Sequence, residues 1–318
     1  MDIGLRFLAA TLGLVCLMAL ALEGPWWLEY ARHFMVQLTV CCGIGALVMG
    51  LRKSKAWALI LLGLGVWQAT VLWSAMDGPE HVEPLADDLK LLSVNVLTSN
   101  QNPQPLLDLI AEEQPDLLVL LEVNQMWLDM LRSLHEEFPY RAEQARGDNF
   151  GIALWSRIPM EAKTEWIGPV EIPSIRAHFG EQEIPFTLFA IHPLPPMNKR
   201  MVLSRNRQLD AVAEQINRVP HPVLVAGDAN TTPWSHALLD FSANAGLKPA
   251  RTSLTATWPT GFAPMGIQID HVLGTVGIEV VSCERGPDVG SDHWPLLTRF
   301  RSVPVLPRDN DRPLPTMH

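Results

Sequence analysis

Residues 223–235 read VLVAGDANTTPWS. Val223–Ala226 is a wholly apolar run, as expected of a strand covered on both faces. It ends abruptly in Gly227-Asp228-Ala229-Asn230, a glycine with two polar side chains at a strand terminus. Strand ends are where α/β proteins place chemistry, because the loops there vary on a fixed scaffold. The same arrangement recurs in both directions along the chain. Asn95 lies in the strand Leu89–Val96, and Glu122 follows the apolar run Leu117–Leu121. His192 follows the strand Pro185–Ile191. Asp270 and His271 interrupt an apolar stretch, Gly266–Leu273, which reads as a hairpin with Ile278–Cys283. Ser291-Asp292-His293 stands just before a last strand, Leu296–Phe300.

A strand-end Asp alone is usually a turn residue or helix cap, and a lone His is usually a satisfied packing group. Their joint occurrence suits a hard divalent cation beside a phosphate, since Mg²⁺ takes few, oxygen ligands. Helical segments alternate with these strands: Pro105–Gln114, Lys199–Arg218 with Leu209, Val212, Ala213 and Ile216 on one face, and Ser235–Ala245. The pattern predicts a mixed α/β domain over residues 89–301, preceded by an acidic linker at 77–88 and followed by a Pro-rich, disordered tail at 302–318.

The series Asn95, Leu-Leu-Glu122, His192, Gly227-Asp-x-Asn230, Ile269-Asp-His-Val272 and Ser291-Asp-His293 resembles the endonuclease/exonuclease/phosphatase superfamily, in the family's order. Gly227–Ser235 is most similar to its bacterial membrane-anchored branch. The resemblance implies a four-layer α/β sandwich of two packed mixed sheets that hydrolyses phosphodiesters or phosphomonoesters with Mg²⁺ or Mn²⁺. It implies Glu122 as principal metal ligand, with Asn95 and Asp292 nearby. Asp228 would orient or deprotonate the attacking water, and Asn230 would hold that water or a phosphoryl oxygen. Asp270 would fix and charge His293, while His293 and His192 flank the phosphate. Arg176, in Ser174-Ile175-Arg176, would be a further candidate for a phosphate contact. His271 is left out, because alternation points it to the other face of its strand. The chain departs from the family at Leu121, Ala229 and Trp294, and Trp294 and Trp234 are expected to line the cleft.

Residues 1–76 are a different material. Spans are expected at about 3–22, 34–51 and 56–76, each near the roughly 20 apolar residues that cross a bilayer. Trp26, Trp27, Tyr30, Trp57 and Trp73 lie where an aromatic belt belongs. The loop Arg52-Lys53-Ser54-Lys55 is expected to stay cytoplasmic. That makes a multi-pass protein, in a bacterium of the inner membrane, with its catalytic domain on the periplasmic side. Ala19-Leu20-Ala21 also resembles a signal-peptidase site, but Asp2 offsets Arg6 in a leader that ought to be basic.

The first 80 residues carry five cations and five acids, so the whole net charge of −10 lies beyond them, where 29 acids face 19 cations. A basic nucleic-acid module is thereby excluded. The expected partners are the bilayer and a phosphate ester, whether nucleic acid, lipid headgroup or small phosphoester; no protein partner is inferable. The competing function is a catalytically silent membrane scaffold that retains the fold. Such a protein usually loses a ligand or a histidine, and here none is missing.

Overall fold

The computed structural model describes residues 3–20, 26–76, 82–250 and 254–305. Four helices come first: α1 (Ile3–Leu20), α2 (Leu28–His33), α3 (Met35–Leu51) and α4 (Lys55–Ser74). Of these, α1 and α4 are long and apolar enough to cross a membrane, while α3 has 17 residues and is shorter. The three expected spans thus correspond to two helices of spanning length and one shorter apolar helix. They meet along Ala9, Cys16, Cys42, Met49 and Leu61, and their other faces stay exposed and apolar, as at Phe7, Val40 and Leu59.

The remaining elements in chain order are β1 (Leu89–Asn95), α5 (Gln104–Glu113), β2 (Leu117–Leu121), α6 (Gln125–Met130), β3 (Tyr140–Gln144), β4 (Ile152–Ser156), β5 (Glu161–Glu165), β6 (Ser174–Phe179), β7 (Phe186–Ile191), α7 (Lys199–Ile216), β8 (Val223–Asp228), α8 (His236–Ala245), β9 (Lys248–Pro249), β10 (Asp270–Gly274), β11 (Ile278–Arg285) and β12 (Leu296–Ser302). They form two six-stranded sheets, ordered β11-β12-β1-β2-β4-β3 and β5-β6-β7-β8-β10-β9. Only β1/β2 and β7/β8 are parallel pairs among the described strands.

Strand alternation builds the layers. Leu117, Val119 and Leu121 of β2 face the second sheet and pack with Ile175, Leu188 and Leu224. Leu118 and Leu120 face outward against Leu106, Leu109 and Trp127. On the other side, Phe189 and Val225 pack under Leu209, Val212 and Phe241. Helix, sheet, sheet, helix is the four-layer sandwich that the family resemblance implies, and it explains why the central strands read as unbroken apolar runs. Helix ends follow local chemistry. Asn198 caps α7 by accepting from the Met201 amide, and Gly246 closes α8 at φ 64°.

One expected pairing is wrong. β10 and β11 form no hairpin: β10 pairs with β8 and β9, whereas β11 pairs with β12 in the other sheet. The turn between them, with Gly277 at φ 95°, carries the chain from one sheet to the other. Two short apolar runs separated by a turn do not distinguish a hairpin from a crossover. Around the domain's edges, Asp88 is buried and pairs with Arg301 at 2.8 Å, and Ser302 ends β12. Residues 77–81 of the expected linker and 306–318 of the expected tail lie outside the described residues.

The parallel pair β7/β8 depends on Gly227. A Cβ there would lie 2.0 Å from the Ile191 carbonyl oxygen, and its φ of 141° is open to glycine alone. Gly227→Ala is expected to cost at least about 3 kcal/mol, to be read as a lowered denaturation midpoint. A shift below about 1 kcal/mol would show that the two strands part freely.

Candidate active site

The C-terminal ends of β1, β2, β7 and β8 converge at one edge of the sandwich. Glu122 follows β2 with φ 62°, a left-handed kink that turns its carboxylate back over the strand end. The Asn95 side-chain amide donates to Oε1 at 3.1 Å, and the Thr98 amide donates to Oε2 at 3.1 Å. The Thr98 hydroxyl donates to the Glu122 carbonyl at 3.0 Å. Asn230 shows the same device at φ 51°: its amide donates to Asp228 Oδ1 at 2.8 Å, and its side chain donates to the Pro193 carbonyl at 2.9 Å. Positive φ at non-glycine residues is costly and persists only where surrounding bonds fix it.

Asp228 is 2% exposed and stands between two histidines. His192 Nε2 lies 3.5 Å and His293 Nε2 lies 3.9 Å from its Oδ2. Burial alone would raise the Asp228 pKa. The His192 contact, the His293 charge and the Asn230 amide outweigh it and hold the carboxyl below its ordinary range. His293 Nδ1 meets Asp270 Oδ2 at 2.9 Å. Burial would lower His293, but Asp270 first, then Asp228 and Asp292, push it up to about 10. The imidazole is therefore a cation at neutral pH, aimed by one carboxylate toward another.

A cavity of 520 Å³ opens on these groups, lined by Glu122, His192, Asp228, Asn230, Asp292 and His293 among others. Asp270 sits behind His293, and Asn95 behind Glu122. His271 points away from this cluster and bonds the Thr231 carbonyl at 2.8 Å. Two expectations fail. Arg176 lies on the outer face of its sheet, in register with Phe189, and pairs with Glu165 at 2.7 Å; it lines a separate hollow with His178 and His221. Arg176 stands in mid-strand on β6, and alternation sends its side chain to the face away from the site. Trp234 and Trp294 do not line the cavity either. Trp234 is buried against Met35 and Leu72, and Trp294 lies under Arg285.

No sequence pattern pointed to Trp258, which lines the cavity and donates to Asp292 Oδ2 at 3.0 Å. Nor did it point to Tyr30, His33 and Phe34 from the N-terminal region, which share the lining.

The sequence profile of the Endonuclease/Exonuclease/phosphatase family matches residues 92–293, more than half of the chain. No curated protein matches it. Solved structures with a similar fold include a humanized TDP2 from D. rerio (TM-score 0.55, 17% identity, covering 68% of this chain and 99% of that one). Another is the human nocturnin catalytic domain with bound sulfate (TM-score 0.56, 16% identity, 71% and 98%). A third is an endonuclease/exonuclease/phosphatase from Bacteroides vulgatus (TM-score 0.55, 18% identity, 68% and 99%). At such identities the likeness establishes the shared sandwich. The profile adds sequence similarity over residues 92–293, a range that holds the strand-end polar residues from Asn95 to His293, and the chain belongs to the endonuclease/exonuclease/phosphatase family.

Proposed function

We propose that this is a membrane-anchored, divalent-metal-dependent phosphoesterase, of the family's bacterial membrane-anchored branch, which hydrolyses a phosphodiester or phosphomonoester by in-line attack of water. The observation that carries this reading is the meeting of His192, Asp228, Asn230 and His293 with Glu122 and Asp292 on one cavity.

The residues fit a metal ion. Asp292 Oδ1 is buried and has no hydrogen-bond partner among the described residues, and the Glu122 carboxylate is already held by Asn95 and Thr98. An oxygen-rich set of this kind, Glu122 and Asp292 with Asn95 beside them, suits Mg²⁺ or Mn²⁺. Asp228, Asp270 and His293 also lie close enough to share an ion. There, however, His293 Nδ1 and Asp270 already face each other across a hydrogen bond, so the set serves better as a charged dyad. A bound ion would neutralise the phosphate and polarise its oxygen.

The protein groups divide the rest. Asp228, ionised and held low, accepts from the attacking water and orients it. Asn230 and His192 contact phosphoryl oxygens; His192 Nδ1 is buried without a partner among the described residues. His293, cationic and fixed by Asp270, stabilises the charge that builds on phosphorus. The test is a panel of DNA, RNA, phospholipid and small phosphoesters given to the full-length chain in detergent with Mg²⁺ or Mn²⁺. Hydrolysis of at least one member, abolished by a chelator, is expected; hydrolysis of none would remove the proposal.

Orientation follows from charge. The turn at Arg52–Lys55 lies at one end of the helical bundle, on the cytoplasmic side by its charge. The α/β domain meets the other end, where Gln37 donates to the Gly266 carbonyl at 2.8 Å and Trp234 packs against Met35 and Leu72. The catalytic domain then belongs on the periplasmic side of a bacterial inner membrane. A reporter fused after residue 80 is expected to be active only outside the cytoplasm, and cytoplasmic activity would overturn the arrangement.

A further inference from the structure

The segment between the first two apolar helices is built into the catalytic cavity. Glu29 of α2 pairs at 2.6 Å with Arg205, whose side chain is wholly buried on α7. Arg205 in turn donates to the Asn230 carbonyl at 3.1 Å. The Trp234 indole donates to the Arg32 carbonyl at 2.6 Å. These contacts dock α2 against the strand-end loops, and they place Tyr30, His33 and Phe34 on the same cavity as the catalytic groups.

The cavity lining has two characters. Its polar part is the carboxylate and histidine set. Much of the rest is apolar: Tyr30, Phe34, Phe150, Met197, Met201 and Ile267. A phosphate alone needs no such surface, and apolar area left facing water is unfavourable. The volume suits a headgroup-sized ligand with a short apolar extension. A polymer is poorly served, because the domain's arginines are largely paired with acids, as in Arg141–Glu143, Arg146–Asp148 and Arg157–Glu137. Phe34 of the apolar lining directly precedes Met35, which packs with Leu72 at the end of the bundle next to Trp234.

Resting on the phosphoesterase reading, we propose that α2 is a specificity wall and that the substrate is a lipid-like phosphoester: its phosphate lies among His192, Asn230 and His293, and its apolar portion lies along Tyr30 and Phe34. Tyr30 and Phe34 are specificity residues, and Arg205 positions both the wall and the Asn230 loop.

The test is equilibrium binding to the full-length chain in detergent, followed by tryptophan fluorescence, since Trp258 lines the cavity. The probes are methylphosphonate, hexylphosphonate and a nucleoside 5′-monophosphate. Hexylphosphonate is expected to bind at least about tenfold more tightly than methylphosphonate, each buried methylene adding to affinity. Phe34→Ser should erase most of that preference, and Phe34→Leu, which keeps the apolar contact, should retain it. Leu239→Ala, on the exposed face of α8, should leave it unchanged. Equal affinity for the two phosphonates, tighter binding of the nucleotide, or a preference indifferent to Phe34→Ser would each overturn the wall. Binding does not require turnover. A chain-length preference in a protein that hydrolyses nothing on the panel would therefore sink the phosphoesterase reading and leave the wall standing.

Discussion

Replacing both Asp270 and His293 with alanine is expected to cost little more activity than replacing either one. Each single change should lower kcat by about 10²–10⁴-fold, the span of a positioned acid–base or charged group. Their 2.9 Å contact makes them one unit: without Asp270 the imidazole loses both its orientation and its charge. Losses that multiply in the double variant would show that the two act independently. The pair also predicts a pH signature. His293 is raised from 6.5 to about 10, so the stabilisation from its protonated form is complete below the lower value and is lost as pH rises through the upper one. The thermal unfolding midpoint of the wild type should therefore fall as pH rises across that window. Asp270→Asn should flatten the dependence, because the main partner of the cation is gone.

Glu122→Gln should weaken Mg²⁺ or Mn²⁺ binding at least about 10–100-fold, the loss reported for outlying partners of metal ligands, with turnover falling alongside. The substitution keeps size and removes a charge. One of the two donors, Asn95 or Thr98, keeps an oxygen and the other faces the new NH2 group, a loss of about one hydrogen bond that the fold should survive. Calorimetric titration with Mn²⁺ reads the affinity directly. Unchanged affinity would move the metal site to other residues, with Asp228, Asp270 and His293 the next set to test.

Much of this was legible in the sequence because both layers of packing leave marks there. β2, β4, β7 and β8 are buried on both faces, so they read as apolar runs, and the polar residue after each run falls at a strand end. The same logic passes over β3 and β5, at the sheet edges, whose half-exposed residues carry no apolar pattern. It fails at β10 and β11, where the partner is decided by the sandwich and not by the connecting turn. It also fails for α2, six residues long, whose meaning comes from Arg205, some 176 positions away. Trp258 was invisible for the same reason: only folding brings it to Asp292. Nothing local in a sequence reports such distant pairings.

The most direct test of a metal-dependent phosphoesterase centred on His293 is hydrolysis of the best panel substrate by three samples side by side. These are the full-length protein, the same protein after chelation, and His293→Ala. Both altered samples are expected to lose activity, and returned Mg²⁺ or Mn²⁺ should restore only the chelated one. Hydrolysis that persists in both would contradict it.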